Sequence, residues 1–188
     1  MKIAVKVGVL LLGLSAGAAQ SQDWSGFYGG LNLDAAGGKM DYGNSGALDN
    51  DFSGSGFGAF AGYNLQRGNV VYGGELAFVG TDLTDVDVPA ESFKNYIDLK
   101  GRVGFAAGKA LYYGVLGYSF NTYHRDGSAI DSKGDGFAFG FGMDYMVSEK
   151  MFVGGELLRR TMINPSNDDY SELRSQVDTL SLRLGMKF

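Results

Sequence analysis

The chain has no cysteine, only two prolines, a single histidine and, past its first twenty residues, no apolar run long enough for a spanning helix. Without cysteine there is neither a disulfide nor a thiolate metal site, so a 188-residue chain must draw its stability from elsewhere. So little proline leaves long stretches free to hold continuous strands. A helical membrane protein is excluded, because spanning takes about 20 consecutive apolar residues. Basic residues are also short. Beyond residue 19 there are fourteen of them against twenty-one acidic ones, a net charge of −7. That argues against nucleic acid as a partner and against simple binding to anionic surfaces.

The first residues have the composition of a secretory signal. Lys2 and Lys6 precede the apolar run Val7 to Leu14, and small residues follow at Ser15, Ala16, Gly17, Ala18 and Ala19. The expected division is a signal peptide over 1–19, cleaved between Ala18 and Gln20, and one domain over 20–188.

What is present in excess is glycine, 31 of 188 residues, about twice the usual ~7%, together with aromatics. The clearest pattern is at the end of the chain. Leu180, Leu182, Leu184, Met186 and Phe188 alternate with Ser181, Arg183, Gly185 and Lys187. A period of two gives an extended strand one apolar and one polar face. Seven earlier segments repeat it, so the predicted strands are about 24–34, 54–65, 70–80, 93–106, 110–121, 136–147, 151–161 and 177–188. The sixth is the cleanest, with Phe137, Phe139, Phe141, Met143, Tyr145 and Val147 against Gly136, Ala138, Gly140, Gly142 and Asp144. The fifth is ambiguous in phase; Tyr112, Leu116, Tyr118 and Phe120 form its preferred apolar face. The pentapeptides Tyr72-Gly73-Gly74-Glu75-Leu76 and Val153-Gly154-Gly155-Glu156-Leu157 echo each other.

The connections alternate in length. Gln66–Asn69, Ala107–Lys109 and Ser148–Lys150 are tight turns, whereas about 35–53, 81–92, 122–135 and 162–176 are long. Short turns on one side and long loops on the other are the organisation of an eight-stranded, antiparallel, up-and-down transmembrane β-barrel, turns periplasmic and loops outside. Volume sets the direction of the faces. An eight-stranded barrel is just wide enough to be filled by side chains, and the apolar sets hold too many bulky residues for that interior. Phe137, Phe139, Phe141, Leu180, Leu182 and Leu184 are therefore expected to face lipid, and the complement, mostly Gly, Ala and Ser with a few long charged residues, to face the lumen. Interfacial girdles are expected from Trp24, Tyr63, Tyr72, Tyr112, Tyr145 and Phe188 near the turns, and from Phe78, Phe93, Phe120 and Tyr123 near the loops.

Counting from the turns puts Glu75, Arg102, Glu156 and Arg183 at similar height on the polar face. Ion pairs Glu75–Arg102 and Glu156–Arg183 are expected across the mid-lumen, extended by Asp98, Lys100 and Asp144, giving a plugged lumen. Enzymatic chemistry is poorly supported. The histidine, His124, begins a long loop with no serine two residues on, since position 126 is Asp126. Asp82, Asp85, Asp87 and Glu91 lack the glycine and spacing of a calcium loop. Gly54-Ser55-Gly56-Phe57-Gly58-Ala59 fits a dinucleotide fingerprint in letters only, because it precedes a strand and no helix follows. No catalytic residue, metal or cofactor is expected.

Asp23-Trp24-Ser25-Gly26-Phe27-Tyr28-Gly29-Gly30, Gly62-Tyr63-Asn64, Gly73-Gly74-Glu75 and the Phe-terminated last strand resemble the small bacterial outer-membrane β-barrel proteins, a porin-like family common in alphaproteobacteria. The resemblance covers the whole chain after the signal. It implies an abundant envelope protein in contact with outer-membrane lipids and lipopolysaccharide, inserted by the barrel-assembly machinery with Phe188 as its assembly signal. It also implies a structural or surface-exposed role, with extracellular partners through the loops, or a narrow porin-like channel. The strand pattern runs to the last residue, so the periplasmic peptidoglycan-binding domain of OmpA-type proteins is not expected.

Overall fold

The computed structural model describes residues 21–41, 50–85, 91–125, 132–164 and 173–188, with side chains for 21–39, 53–80, 95–121, 134–162 and 175–188. The expected signal segment, the central parts of the long loops and the side chains of Phe93, Tyr123 and His124 lie outside that range.

Alternating sequence becomes eight strands: β1 (Gly26–Asp41), β2 (Asn50–Arg67), β3 (Val70–Asp85), β4 (Glu91–Ala107), β5 (Ala110–Arg125), β6 (Ser132–Met146), β7 (Met151–Asn164) and β8 (Leu173–Lys187). Each pairs antiparallel with the next, and β8 pairs with β1, so the sheet is a closed barrel without an edge. Closure is what lets strands cross lipid, because every backbone donor and acceptor finds a partner within the sheet.

The register fixes the width. Following partners round the sheet from Leu31 leads through Ala59, Phe78, Ile97, Phe120, Asp135, Ile163 and Arg174 back to β1 at Asp41. The circuit closes ten residues further along β1. Such a stagger tilts strands by about 35–45° to the axis. Two turns are two-residue loops whose first residues, Gly68 and Gly108, have φ of 60° and 59°, as the hairpin turns that match strand twist require.

The strands outrun their expected ends on the loop side. β1 continues past residue 34: residues 35–40 still pair with both β2 and β8, and Asp41 pairs with β8. Apolar alternation marks where a strand touches lipid, whereas the hydrogen-bond ladder continues above the membrane. Register shifts near Gly80–Leu83 and Phe93–Asn95 occur in this upper part, where barrel rims tolerate bulges.

The apolar faces point outward. Phe57, Leu116, Phe137, Phe141 and Leu182 are each more than 60% exposed. On β5 the preferred phase is the observed one, with Leu111, Tyr113, Val115 and Ser119 buried and Tyr112, Leu116 and Phe120 outward. From Leu180 to Phe188 the outward residues span roughly 20 Å of height at ~3.3 Å per residue and ~40° tilt, close to the ~25 Å apolar band of outer-membrane barrels.

Two expectations fail. Trp24 is not in the girdle: it is 2% exposed, inside the barrel, its ring 5.8 Å from that of Phe152. It shares the even-numbered inward parity of Tyr28, Asn32 and Asp34. Nor is the interior mostly small. Tyr28, Phe60, Tyr96, Leu111, Tyr113, Met146 and Phe152 are all buried. The glycines make this possible. A side chain at Gly30 would strike Phe60, at Gly62 Tyr28, at Gly142 Tyr113 and at Gly185 Phe152. Large inward residues fit because a glycine on a neighbouring strand leaves each its space.

Depth in the band should govern tolerance to charge. Leu182→Arg, near mid-band, should cost about 2–4 kcal/mol, and Phe137→Arg, near the outer edge, about 0–1 kcal/mol. Urea titration of the folded gel band in lipid vesicles reads both; equal costs would contradict this placement.

Candidate functional site

Three inward layers fill the lumen. Nearest the turns is an apolar floor of Trp24, Val71, Leu111, Met146 and Phe152. Above it lies a ring of alternating charge. Lys100 Nζ is 2.7 Å from Glu75 Oε1 and 2.7 Å from Glu156 Oε1. Arg183 closes the ring, Nη2 lying 2.6 Å from Glu75 Oε2 and Nη1 3.0 Å from Glu156 Oε2. Since β3 and β7 stand opposite each other in the barrel order, the ring spans the lumen.

Arg102 joins from below, 2.9 Å from Glu75 and 2.7 Å from Asp144. The Tyr28 hydroxyl donates to Glu75 at 2.9 Å and accepts from Arg102 at 2.8 Å, and the Tyr113 hydroxyl donates to Glu156 at 3.2 Å. Aromatic faces cover the guanidiniums: Arg102 lies 3.7 Å from the centre of the Tyr113 ring and Arg183 3.9 Å from that of Phe60. These six charged side chains are at most 3% exposed. Three acids, Glu75, Asp144 and Glu156, balance three bases, Lys100, Arg102 and Arg183. Neutrality here is a physical requirement, because an unpaired charge in such a site would carry a desolvation cost of several kcal/mol.

The third layer, toward the loops, is built on Asp98. It does not extend the ring; it forms a fork with Arg160, Nε to Oδ1 at 3.0 Å and Nη2 to Oδ2 at 2.6 Å, and accepts from Ser119 at 2.5 Å. Arg160 Nη1 donates to Thr179 at 2.7 Å. Asp34, buried beside them, accepts from Asn32. The cavity between these two layers, bordered by Asn32, Asp98, Lys100, Glu156, Arg160 and Arg183, holds about 10 Å³, room for about one water.

All seven expected lumen residues therefore lie inside and are buried. The direct strand partner of Glu75 is Lys100, while Arg102 stands opposite Gly73 and reaches Glu75 diagonally. Arg160, Tyr28 and Tyr113 were not anticipated. Arg160 was detectable, since it lies four residues after Glu156 on one strand and so shares its face. The expected lipid-facing residues Phe137, Phe139, Phe141, Leu180, Leu182 and Leu184 all lie on the outside, as does Phe188, whose N–H bonds Phe27 O at 2.9 Å.

The outer membrane protein beta-barrel domain model matches residues 7–188. The chain belongs to this outer-membrane family. It is 27% identical over 211 aligned positions to the 31 kDa outer-membrane immunogenic protein of Brucella melitensis, covering 93% of this chain and 87% of that one. To the 22 kDa outer membrane protein of Rhizobium leguminosarum it is 32% identical over 134 positions, 68% of this chain and 59% of that one. Among solved structures it resembles Neisserial surface protein A, with a TM-score of 0.53 at 19% identity over 87% of this chain and 98% of that one. It also resembles the attachment invasion locus protein of Yersinia pestis, with a TM-score of 0.54 at 15% identity over 87% and 99%. At such identities the structures speak to the fold alone. The protein is thus a β-barrel of the bacterial outer membrane.

Removing one ring carboxylate leaves its cations uncompensated. Glu75→Ala should lower unfolding free energy by about 3–5 kcal/mol. The outward pair Arg159–Asp178, 2.6 Å apart and about half exposed, should lose under about 1 kcal/mol on Asp178→Ala. Urea titration in micelles compares the two, and similar losses would contradict the ring's role.

Proposed function

We propose that this protein is a structural, surface-presenting barrel whose lumen is plugged and whose four loop-side hairpins are its means of contact with the outside. The observation carrying this reading is the closed charge ring above an apolar floor, with a cavity of about 10 Å³ between the ring and the layer above. A solute would have to separate several buried ion pairs at once to cross. The role is non-enzymatic, its neighbours being outer-membrane lipids and lipopolysaccharide. Residues 1–19 act as the signal peptide of a barrel domain over 20–188, and Phe188 acts in recognition by the barrel-assembly machinery.

The Brucella relatives are named as immunogenic, which fits hairpins presented at a surface here. The Yersinia protein was solved with a heparin analogue, but a polyanion is a poor fit for this chain. Its segments 39–53, 81–94, 122–135 and 162–176 carry thirteen acidic against five basic residues, so any loop partner should be neutral or cationic.

A narrow channel is the second reading, favoured by the polar lining of the upper lumen, where Asn32, Ser119, Asn121 and Thr179 all face inward and are buried. Planar-bilayer recordings of purified protein distinguish the two. The plugged reading expects no large stable conductance from the wild type, and large stable pores that persist unchanged in Glu75→Ala would overturn it.

A further inference from the structure

The side-chain charges are unevenly distributed along the barrel axis. The loop-side segments hold a large acidic excess, whereas each corner of the turn side carries a cation. Arg67 ends β2, Lys109 lies in the β4–β5 turn, Lys150 in the β6–β7 turn and Lys187 at the end of β8. Arg67, Lys109 and Lys150 are exposed, and Lys187 is half-buried. Two acids share this rim. Asp23 is occupied locally, accepting from the Ser25 N–H at 2.8 Å while its carbonyl takes Lys187 Nζ; Glu149 adjoins Lys150. Among the described residues four side-chain cations face two acids at this rim, so the net charge of −7 beyond residue 19 hides a basic rim.

The height of that rim identifies its partner. Immediately inward along the strands stand the outward rings of Tyr63, Tyr72, Tyr112 and Tyr145. Tyrosines occupy the membrane–water interface, so the cations above the turns sit at headgroup level. Long cationic side chains in that position extend their charge into the headgroups while their stems remain beside the acyl chains. On the turn side of an outer-membrane barrel this is the periplasmic leaflet.

We propose that the turn-side rim binds the phosphate headgroups of anionic phospholipids in the periplasmic leaflet, one at or near each of Arg67, Lys109 and Lys150. The acidic loop side repels the same headgroups, so the barrel carries a charge polarity that favours one orientation and fixes its depth. The inference rests on the outer-membrane placement and is independent of whether the lumen conducts.

Native mass spectrometry of the full barrel, released from mixed micelles of phosphatidylcholine and phosphatidylglycerol at low salt, tests it. Phosphatidylglycerol adducts should be enriched over phosphatidylcholine by roughly five-fold per cation, the order expected for Lys or Arg at an anionic surface. The enrichment should fall to near parity in the triple variant Arg67→Gln, Lys109→Gln, Lys150→Gln and in high salt. A double variant on the loop side, Lys94→Gln with Lys133→Gln, should retain it. Heat-modifiable gel migration verifies that each variant remains a folded barrel. The proposal is overturned by equal retention of both lipids, by a triple variant that keeps the preference, or by displacement of phosphatidylglycerol with millimolar inorganic phosphate, which would mark a free-anion site instead.

Discussion

Eight strands closed with a stagger of ten leave a lumen in which nearly every inward side chain needs a matching hole on an adjacent strand. That lack of room governs the rest of the structure. It sends the bulky apolar surplus out to lipid and requires glycines opposite Tyr28, Tyr113 and Phe152. It also forces the charges of the ring into direct contact with opposite ones. With no cysteine in the chain, stability comes from the closed backbone ladder and from this tightly matched interior.

Much of the fold was legible because a membrane barrel writes its lipid contact as a period of two, and turn lengths alternate with the side of the membrane. The strand count, the phase of β5 and the outward Phe137, Phe139, Phe141 and Leu182 all follow from that signal. The strand tops did not, because above the lipid the ladder continues while the apolar alternation stops, as in Ala35–Asp41. The lumen was legible as a set of charges at one height, and the expected pairs Glu75–Arg102 and Glu156–Arg183 both form. The bridging of the two glutamates by Lys100 and Arg183 was not legible, nor was the separate Asp98–Arg160 fork. Alternation states which face a residue takes, while long side chains such as Arg102 reach past their direct partners. Trp24 was misplaced by its chemistry: an aromatic near a strand end suits an interface, yet its even-numbered position shared the inward parity of Tyr28.

The pentapeptide echo gains a structural meaning. Glu75 and Glu156 occupy opposite corners of the ring, and the correspondence extends round the barrel between strands four apart. Tyr28 on β1 and Tyr113 on β5 each offer a hydroxyl to one of these glutamates. Gly62 on β2 and Gly142 on β6 leave space for those two tyrosines, Gly73 and Gly154 lie against Asn64 and Asp144, and Arg102 on β4 corresponds to Arg183 on β8. The lumen is a pseudo-twofold arrangement of one four-strand plan.

Where the twofold breaks, it breaks in a compensated way. Asn64 corresponds to Asp144, which adds a negative charge to one half; Ser181 corresponds to Lys100, which adds a positive charge to the other. A symmetric interior of two glutamates and two arginines would be neutral already, and either exchange alone would bury an uncompensated charge at a cost of several kcal/mol. Together they keep the layer neutral and add the fourth member of the ring, since Lys100 is the group that bridges Glu75 to Glu156 from the side opposite Arg183. Without Lys100, Arg183 alone would join the two glutamates, since Arg102 reaches only Glu75. The second cation, made tolerable by Asp144, turns a one-sided bridge into a closed ring.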